Sequence, residues 1–317
     1  MAACGTAYME HSVYPRRTQR AIMEANTMQE TALLELRGIC KFFPGVRALD
    51  GVDFTLCKGE IHALMGENGA GKSTLIGIIT GGLAADSGEV LWCGKPAAGI
   101  AFRRILGYMP QQQGMYEQFS GERFLYYIAA LKGMKKRDAA QQIEKYLELV
   151  GLKKDSKRRV GGYSGGMRQR LMFVAALLGD PEILILDEPT AGLDPEERIK
   201  IRNYVSELSG ERIVILATHV VSDIECIASK ILLLYQGKLL AENTPGGLID
   251  TVTDKVYEKI CTHEELGKLM KEYPKGNVSQ GVEGIHYRIV QDECPEGFTR
   301  AEGTPDLEDV YLYWLKK

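Results

Sequence analysis

Two short stretches carry residue types suited to phosphate chemistry. "GENGAGKST" (Gly66–Thr74) mixes glycines with one lysine and two hydroxyls, and "ILILDEPT" (Ile183–Thr190) is an apolar run ending in two adjacent carboxylates. In the first, the glycines let successive backbone amides converge at close range on phosphate oxygens. Lys72 is placed for the β- and γ-phosphates of a nucleotide, and the Ser73 hydroxyl for Mg²⁺. Gly66, Glu67, Asn68, Gly69, Ala70, Gly71 and Thr74 complete the loop. A glycine turn before a helix is the plain alternative; the complete GxxxxGK[ST] spacing argues against it. In the second stretch, Asp187 is read as a Mg²⁺ ligand and Glu188 as the group that polarises or orients an attacking water. A carboxylate pair after a strand can also be a helix cap, but a nucleotide loop in the same chain favours chemistry.

A third stretch poses a question. "GGYSGGMRQRL" (Gly161–Leu171) has the glycines of a phosphate loop and leads into a helix expected to begin near Met167, yet it has no lysine.

Elements that could position these groups follow from the pattern. "EIHALMG" (Glu60–Gly66) reads as a buried strand entering the glycine loop, and "KSTLIGIITGGL" as a helix leaving it and stopping at Gly81–Gly82. Leu33–Leu56 reads as β meander, and Ser87–Lys95 and Arg104–Gln111 as strands. Helices follow, with Ser120 and Asp138 as expected N-caps and Gly151 as a terminator. "RIVILATH" reads as a buried strand ending at His219, and "KILLLYQGKLLAEN" as a hairpin turning at Gln236–Gly237. Strands alternating with helices indicate an α/β domain with a parallel sheet. Gly66, Asp187, Glu188 and His219 all fall at carboxyl ends of strands, where such sheets carry their sites.

The 317 residues suit one large domain plus a smaller one, and a net charge of −3 gives no reason to expect nucleic acid as a partner. Seven scattered cysteines without a CxxC pair read as free thiols. No run approaches the roughly 18 apolar residues of a membrane span. Residues 1–30 read as a largely disordered extension, or as sequence upstream of a natural start at Met28.

The order of these motifs resembles the nucleotide-binding subunits of ABC transporters over roughly Leu33–Pro245. The resemblance implies a P-loop NTPase core with an antiparallel β subdomain and a helical subdomain, plus a small α+β C-terminal appendage. It places the ATPase domain at 31–246, its helical part at about 112–165, and the accessory domain at 247–317. Phe43 matches the aromatic that stacks on adenine, and Gln111 a glutamine that contacts Mg²⁺ or water. His219 matches the switch histidine. Ser164, Gly165 and Gly166 match the signature loop, and Asp194 a loop that crosses to a partner. The family's commonest LSGGQ is altered at both ends, to Tyr163 and Met167.

The lysine-free loop then has a reading: in a head-to-tail dimer it faces the γ-phosphate held by the other molecule's Lys72. The resemblance implies ATP and Mg²⁺ as ligands and a second ATPase subunit, identical or paralogous. It also implies separate membrane-spanning permease subunits and a cytoplasmic position on the inner face of the cell membrane. Met115, Tyr116 and Phe119 are candidate docking side chains. The N-terminal part is similar to sugar-import ATPases. The part from Arg103 onward, including "TPDLEDVYLYWL", is similar to single-cassette exporters of drugs, antibiotics and polysaccharides, so export is expected and import is the alternative. A phosphate-loop kinase or GTPase fits less well: neither explains "YSGGM", and the guanine-reading NKxD is missing. A soluble ATPase of this class acting on ribosomes or DNA would want a second cassette or long coiled-coil inserts.

Overall fold

The computed structural model describes residues 33–112, 114–281 and 284–314. The expectation for residues 1–30 lies outside the described residues. Strands β1 (Leu34–Phe43) and β2 (Val46–Leu56) form an antiparallel hairpin. Strand β3 (Ile61–Met65) leads through the glycine loop into helix α1 (Lys72–Ile79). Strands β4 (Ser87–Trp92) and β5 (Lys95–Pro96) join the hairpin in an antiparallel sheet of order β2-β1-β4-β5. Helix α2 (Gly99–Arg104) precedes β6 (Leu106–Met109). It has a single buried side chain, Phe102, too little to produce a readable helical period.

Helices α3 (Gly121–Leu131), α4 (Lys136–Leu149) and α5 (Gly165–Leu177) come next. Ser120 caps α3 as expected, its hydroxyl accepting from Arg123 N at 3.2 Å. Asp138 does not cap α4. The helix starts earlier, with Lys135 at the cap, which puts Asp138 in the first turn, where a carboxylate favours the positive end of the helix dipole. Helix α5 also starts earlier than expected, at Gly165 rather than Met167. The Ser164 hydroxyl is its cap, accepting from Met167 N at 3.2 Å.

Strand β7 (Ile183–Asp187), helix α6 (Pro195–Ser209), strand β8 (Ile213–Ala217), helix α7 (Val221–Ile227) and hairpin strands β9 (Lys230–Tyr235) and β10 (Lys238–Asn243) complete the larger unit. Gln236 and Gly237 both take positive φ, 47° and 80°, as a two-residue hairpin turn of the primed type requires. The central sheet runs β10-β9-β3-β8-β7-β6, parallel except for β10 at the edge. Strands β3, β7 and β8 are buried along their whole length, which explains their unbroken apolar sequences. Side-chain alternation divides the core. Ile183 and Ile185 face the layer containing α1 and the antiparallel sheet, and Leu184 and Leu186 face the layer of α3, α4 and α5.

The remaining chain forms α8 (Pro245–Asp250), β11 (Val256–Cys261), α9 (His263–Glu272), β12 (Asn277–Gln280), β13 (Ile285–Val290), β14 (Thr299–Arg300) and α10 (Leu307–Trp314). Its sheet is antiparallel, of order β12-β13-β11-β14. Leu307, Val310 and Tyr313 of α10 share an apolar cluster with Ala63 and Met65 of β3, so this unit packs against the strand that enters the glycine loop.

Candidate active site

The glycine loop is shaped from behind. A Cβ on Gly66 would sit 2.4 Å from Leu234 O, so only glycine lets the loop lie this close to β9. Gly71 has φ 108°, and a Cβ there would meet Ala48 O at 2.6 Å. The loop is stapled to the β9–β10 turn by Gly237 N donating to Ala70 O at 3.0 Å. Helix α1 begins at Lys72 with no side-chain cap, leaving its first amides directed at the cleft as an anion site. Lys72 is 7% exposed, and its ammonium donates to Gly66 O and Glu67 O. Burial lowers the Lys72 pKa, opposed by the nearby Glu188 and Asp187 carboxylates.

Asp187 and Glu188 stand at the end of β7, both buried, at 4% and 5% exposure. They differ in their partners. The Asp187 carboxylate makes no hydrogen bond among the described residues, and burial, then the Glu188 charge, raises its pKa against the opposing pull of Lys72. A buried carboxylate without a donor suits a cation brought by the ligand. Glu188 is partnered: Oε1 lies 2.8 Å from His219 Nδ1, and Oε2 accepts from the Thr218 hydroxyl at 3.3 Å. Glu188 also stands in the left-handed backbone region, φ 51°, a conformation that costs a residue with a Cβ about 1–2 kcal/mol.

These groups meet in one cleft of about 240 Å³, lined by Phe43, Val46, Ala48, Glu67, Asn68, Gly69, Gly71, Lys72, Ser73, Thr74, Gln111, Asp187 and Glu188. Phe43 is 43% exposed at the end of β1, with Val46 beside it on the cleft wall, a flat apolar surface suited to a base. Gly66 and Ala70 form the back of the loop, and His219 reaches the site through Glu188. The glycine cradle, the free helix N-terminus and the unpartnered Asp187 together fit a nucleotide triphosphate with a divalent cation.

Ser164, Gly165, Gly166 and Asp194 do not line this cleft. Ser164, Gly165 and Asp194 are exposed. The Gly166 Cβ position lies 3.5 Å from Leu193 Cδ2, so the start of α5 packs against the segment that opens α6. Tyr163 is buried; its hydroxyl donates to Asp155 O at 2.7 Å, which makes it a core residue of the helical layer. Sequence reasoning passed over Thr218, Gln169, Thr190 and Asp223. Gln169, 5% exposed on α5, donates to Glu188 O at 3.1 Å and Pro189 O at 2.7 Å. Its sequence signal is a single amide in an otherwise basic and apolar helix.

Comparison with known proteins shows the family. A family model described as ABC transporter matches residues 49–191. The chain is 33% identical over 293 residues to the uncharacterized ABC transporter ATP-binding protein YxlF of Bacillus subtilis (strain 168), covering 88% of this chain and 98% of that protein. The chain belongs to the ATP-binding subunits of ABC transporters. It is also 32% identical to the Nod factor export ATP-binding protein I of Rhizobium sp. (strain N33), over 88% of this chain and 95% of that one. Among solved structures, that of an ATP-binding subunit of an ABC transporter superposes with a TM-score of 0.64 at 27% identity, over 69% of this chain and 92% of that one. The cassette is therefore a P-loop NTPase that binds nucleotide, and membership of this ATPase family carries ATP hydrolysis with it.

Proposed function

We propose that this cassette powers an exporter, through an ATP-sandwiched head-to-tail dimer docked on separate membrane-spanning subunits at the cytoplasmic face of the cell membrane. The observation that carries the dimer is the position of the signature loop. Ser164 and Gly165 open α5 as an exposed helix N-terminus, outside the cleft formed by their own chain. An exposed, lysine-free anion site of this kind suits a γ-phosphate held by another molecule's Lys72. ATP then bridges two chains and ADP does not, which is the differential affinity a nucleotide needs to drive a conformational change. Asp194, exposed at the start of α6, is assigned to the same crossing.

Within one site, Phe43 holds the base. The loop amides and Lys72 take the charge of the phosphates, and Glu188 accepts a proton from the attacking water or orients it, steadied by His219. Ser73, Gln111 and Asp187 would hold Mg²⁺, which supplies charge neutralisation at the β- and γ-phosphate oxygens. Phosphoryl transfer needs alignment and charge stabilisation more than covalent help, so this short set of groups suffices.

Export is supported by similarity to a protein named for export, over 88% of this chain and 95% of that one. No helix among the described residues is long and apolar enough to cross a membrane, which fits a subunit that reaches the membrane through partners. For docking we assign the aromatic surface beside Gln111. Tyr116 and Tyr127 are 45% and 38% exposed and meet edge to face, and Arg123 lies 4.3 Å over the Phe119 ring. Met115 and Phe119 are partly buried against the helical core, so Tyr116 and Tyr127 carry the exposed part. We divide the chain into a cassette at 31–246, with its helical part at about 112–165, and an accessory domain at 247–317.

Mixing two defective chains tests the composite site. Lys72→Ala and Ser164→Arg are each expected to be inactive as homodimers. A mixture should recover part of the activity, because a heterodimer retains one intact site. Full activity of Ser164→Arg alone would overturn the reading.

A further inference from the structure

Glu188 holds a backbone conformation that side chains with a Cβ disfavour, φ 51°, at the point where hydrolysis is assigned. Such a turn persists only where its surroundings over-determine it, and here the contacts are specific. On the sheet side, Glu188 N donates to Ala217 O at 2.8 Å. On the helical side, the Gln169 amide donates to two successive carbonyls, Glu188 O at 3.1 Å and Pro189 O at 2.7 Å. One residue further on, the Thr190 hydroxyl donates to Asp223 Oδ2 at 2.5 Å, and Asp223 Oδ1 lies 3.5 Å from Arg202. Gln169, Thr190 and Asp223 are at most 5% exposed, so water does not substitute for these bonds.

We propose that Gln169 and the Thr190–Asp223 pair are positioning residues that clamp the Glu188 turn from α5 and α7 and so aim its carboxylate. The proposal rests on the assignment of Glu188 as the hydrolytic group. The two carbonyls held by Gln169 directly follow the Cα from which the carboxylate projects, so they fix the chain on the C-terminal side of Glu188. Releasing them frees the turn to relax towards ordinary backbone angles, which swings the side chain away from His219 and from the water. Nucleotide binding does not require this turn, because the phosphate loop, Lys72 and Phe43 lie on other elements and Asp187 is held ahead of the turn by its pairing with Ala217 in the sheet. The clamp therefore acts on turnover and not on affinity. Gln169 comes from the helix that Ser164 caps and Asp223 from the helix that follows His219, so one carboxylate takes its direction from both.

The test compares wild type with Gln169→Met, Asp223→Asn and Glu188→Gln, measuring ATP hydrolysis and the affinity for a fluorescent ATP analogue. Gln169→Met keeps the volume and removes both donors. It is expected to lower the hydrolysis rate at least tenfold while the affinity stays within twofold, and Asp223→Asn should act in the same direction. A turnover-independent reading comes from the imidazole Cε1–Hε1 resonance of His219 by NMR, assigned with His219→Gln. In Gln169→Met it should move towards its position in Glu188→Gln, because both changes take the carboxylate charge away from the imidazole Nδ1. Hydrolysis within twofold of wild type, or an unmoved His219 resonance, overturns the clamp. So does a loss of affinity that matches the loss of rate, which would mark Gln169 as merely structural. If Glu188→Gln itself hydrolyses at the wild-type rate, the assignment of Glu188 fails instead, and the two failures are distinct.

Discussion

Glu188 Oε1 and His219 Nδ1 are 2.8 Å apart, across the ends of two adjacent parallel strands. The two residues differ in setting. The carboxylate is 5% exposed and the imidazole side chain 64% exposed, so a buried base is steadied by a group that itself faces outward. Strand β7 and strand β8 are in register, Asp187 beside Ala217, and this register brings Glu188, the residue after β7, into reach of Thr218 and His219, the first and second residues after β8.

Glu188→Gln keeps the size of the side chain and removes its basicity. Hydrolysis should fall by about 10²–10⁴-fold, the usual contribution of a positioned base, with ATP affinity near the wild-type value. His219→Ala should lower the rate by a smaller factor, because Thr218 still contacts the carboxylate. Phosphate release measured alongside equilibrium binding checks both variants.

Asp187 is a buried carboxylate with no hydrogen bond among the described residues, and burial raises its pKa. A carboxyl whose folded pKa exceeds its unfolded one binds more protons when folded, so its ionisation weakens the fold as pH rises through that window. Asp187→Asn should therefore raise the stability of the nucleotide-free protein at pH 7 by about 1 kcal/mol, a Tm increase of about 2–4 °C. That advantage should shrink as pH falls towards the unfolded carboxyl range. The same variant should lose Mg²⁺-dependent ATP binding. Thermal unfolding at several pH values, with and without Mg-ATP, separates the two effects.

Lys132 is an independent pH probe. Its ammonium donates to Ala176 O at 3.2 Å and Leu178 O at 2.6 Å at the end of α5, and burial pulls its pKa down to about 8. The folded chain then binds fewer protons than the unfolded chain between about pH 8 and the ordinary lysine value. The cost of the buried charge is full below that window and is relieved as pH rises through it. Lys132→Met carries no such charge. Wild-type stability relative to this variant should increase between pH 7 and 10, by up to about 3 kcal/mol. Denaturant unfolding at the two pH values is the measurement.

Much of the site was legible in the sequence because its residues have few substitutes. A phosphate loop needs Lys72 and glycines where a Cβ would strike Leu234 O or Ala48 O, and buried strands that end in carboxylates are rare without a purpose. The parallel sheet followed from apolar runs buried on both faces. Less legible were contacts whose partners are backbone. Gln169 reads as one polar residue in a helix, because its acceptors are carbonyls 19 and 20 positions away. Asp223 is equally silent, since its partner Thr190 lies on another element. Asp138 misled as a cap because the helix takes in Lys136 and Arg137 as its first residues, without a side-chain cap. Helix α2 was too short to leave a period, and Tyr163, an apparent irregularity in the signature loop, belongs to the core beneath it.

The most direct test of the composite site is the mass in solution of Glu188→Gln, with Mg-ATP and with Mg-ADP, by light scattering after size exclusion. A γ-phosphate gripped by Ser164 of a second chain predicts a mass that doubles with ATP and stays at a single chain with ADP. Ser164→Arg introduced into the same variant should abolish the doubling. A single-chain mass at saturating ATP, or a doubling indifferent to Ser164→Arg, would contradict the account.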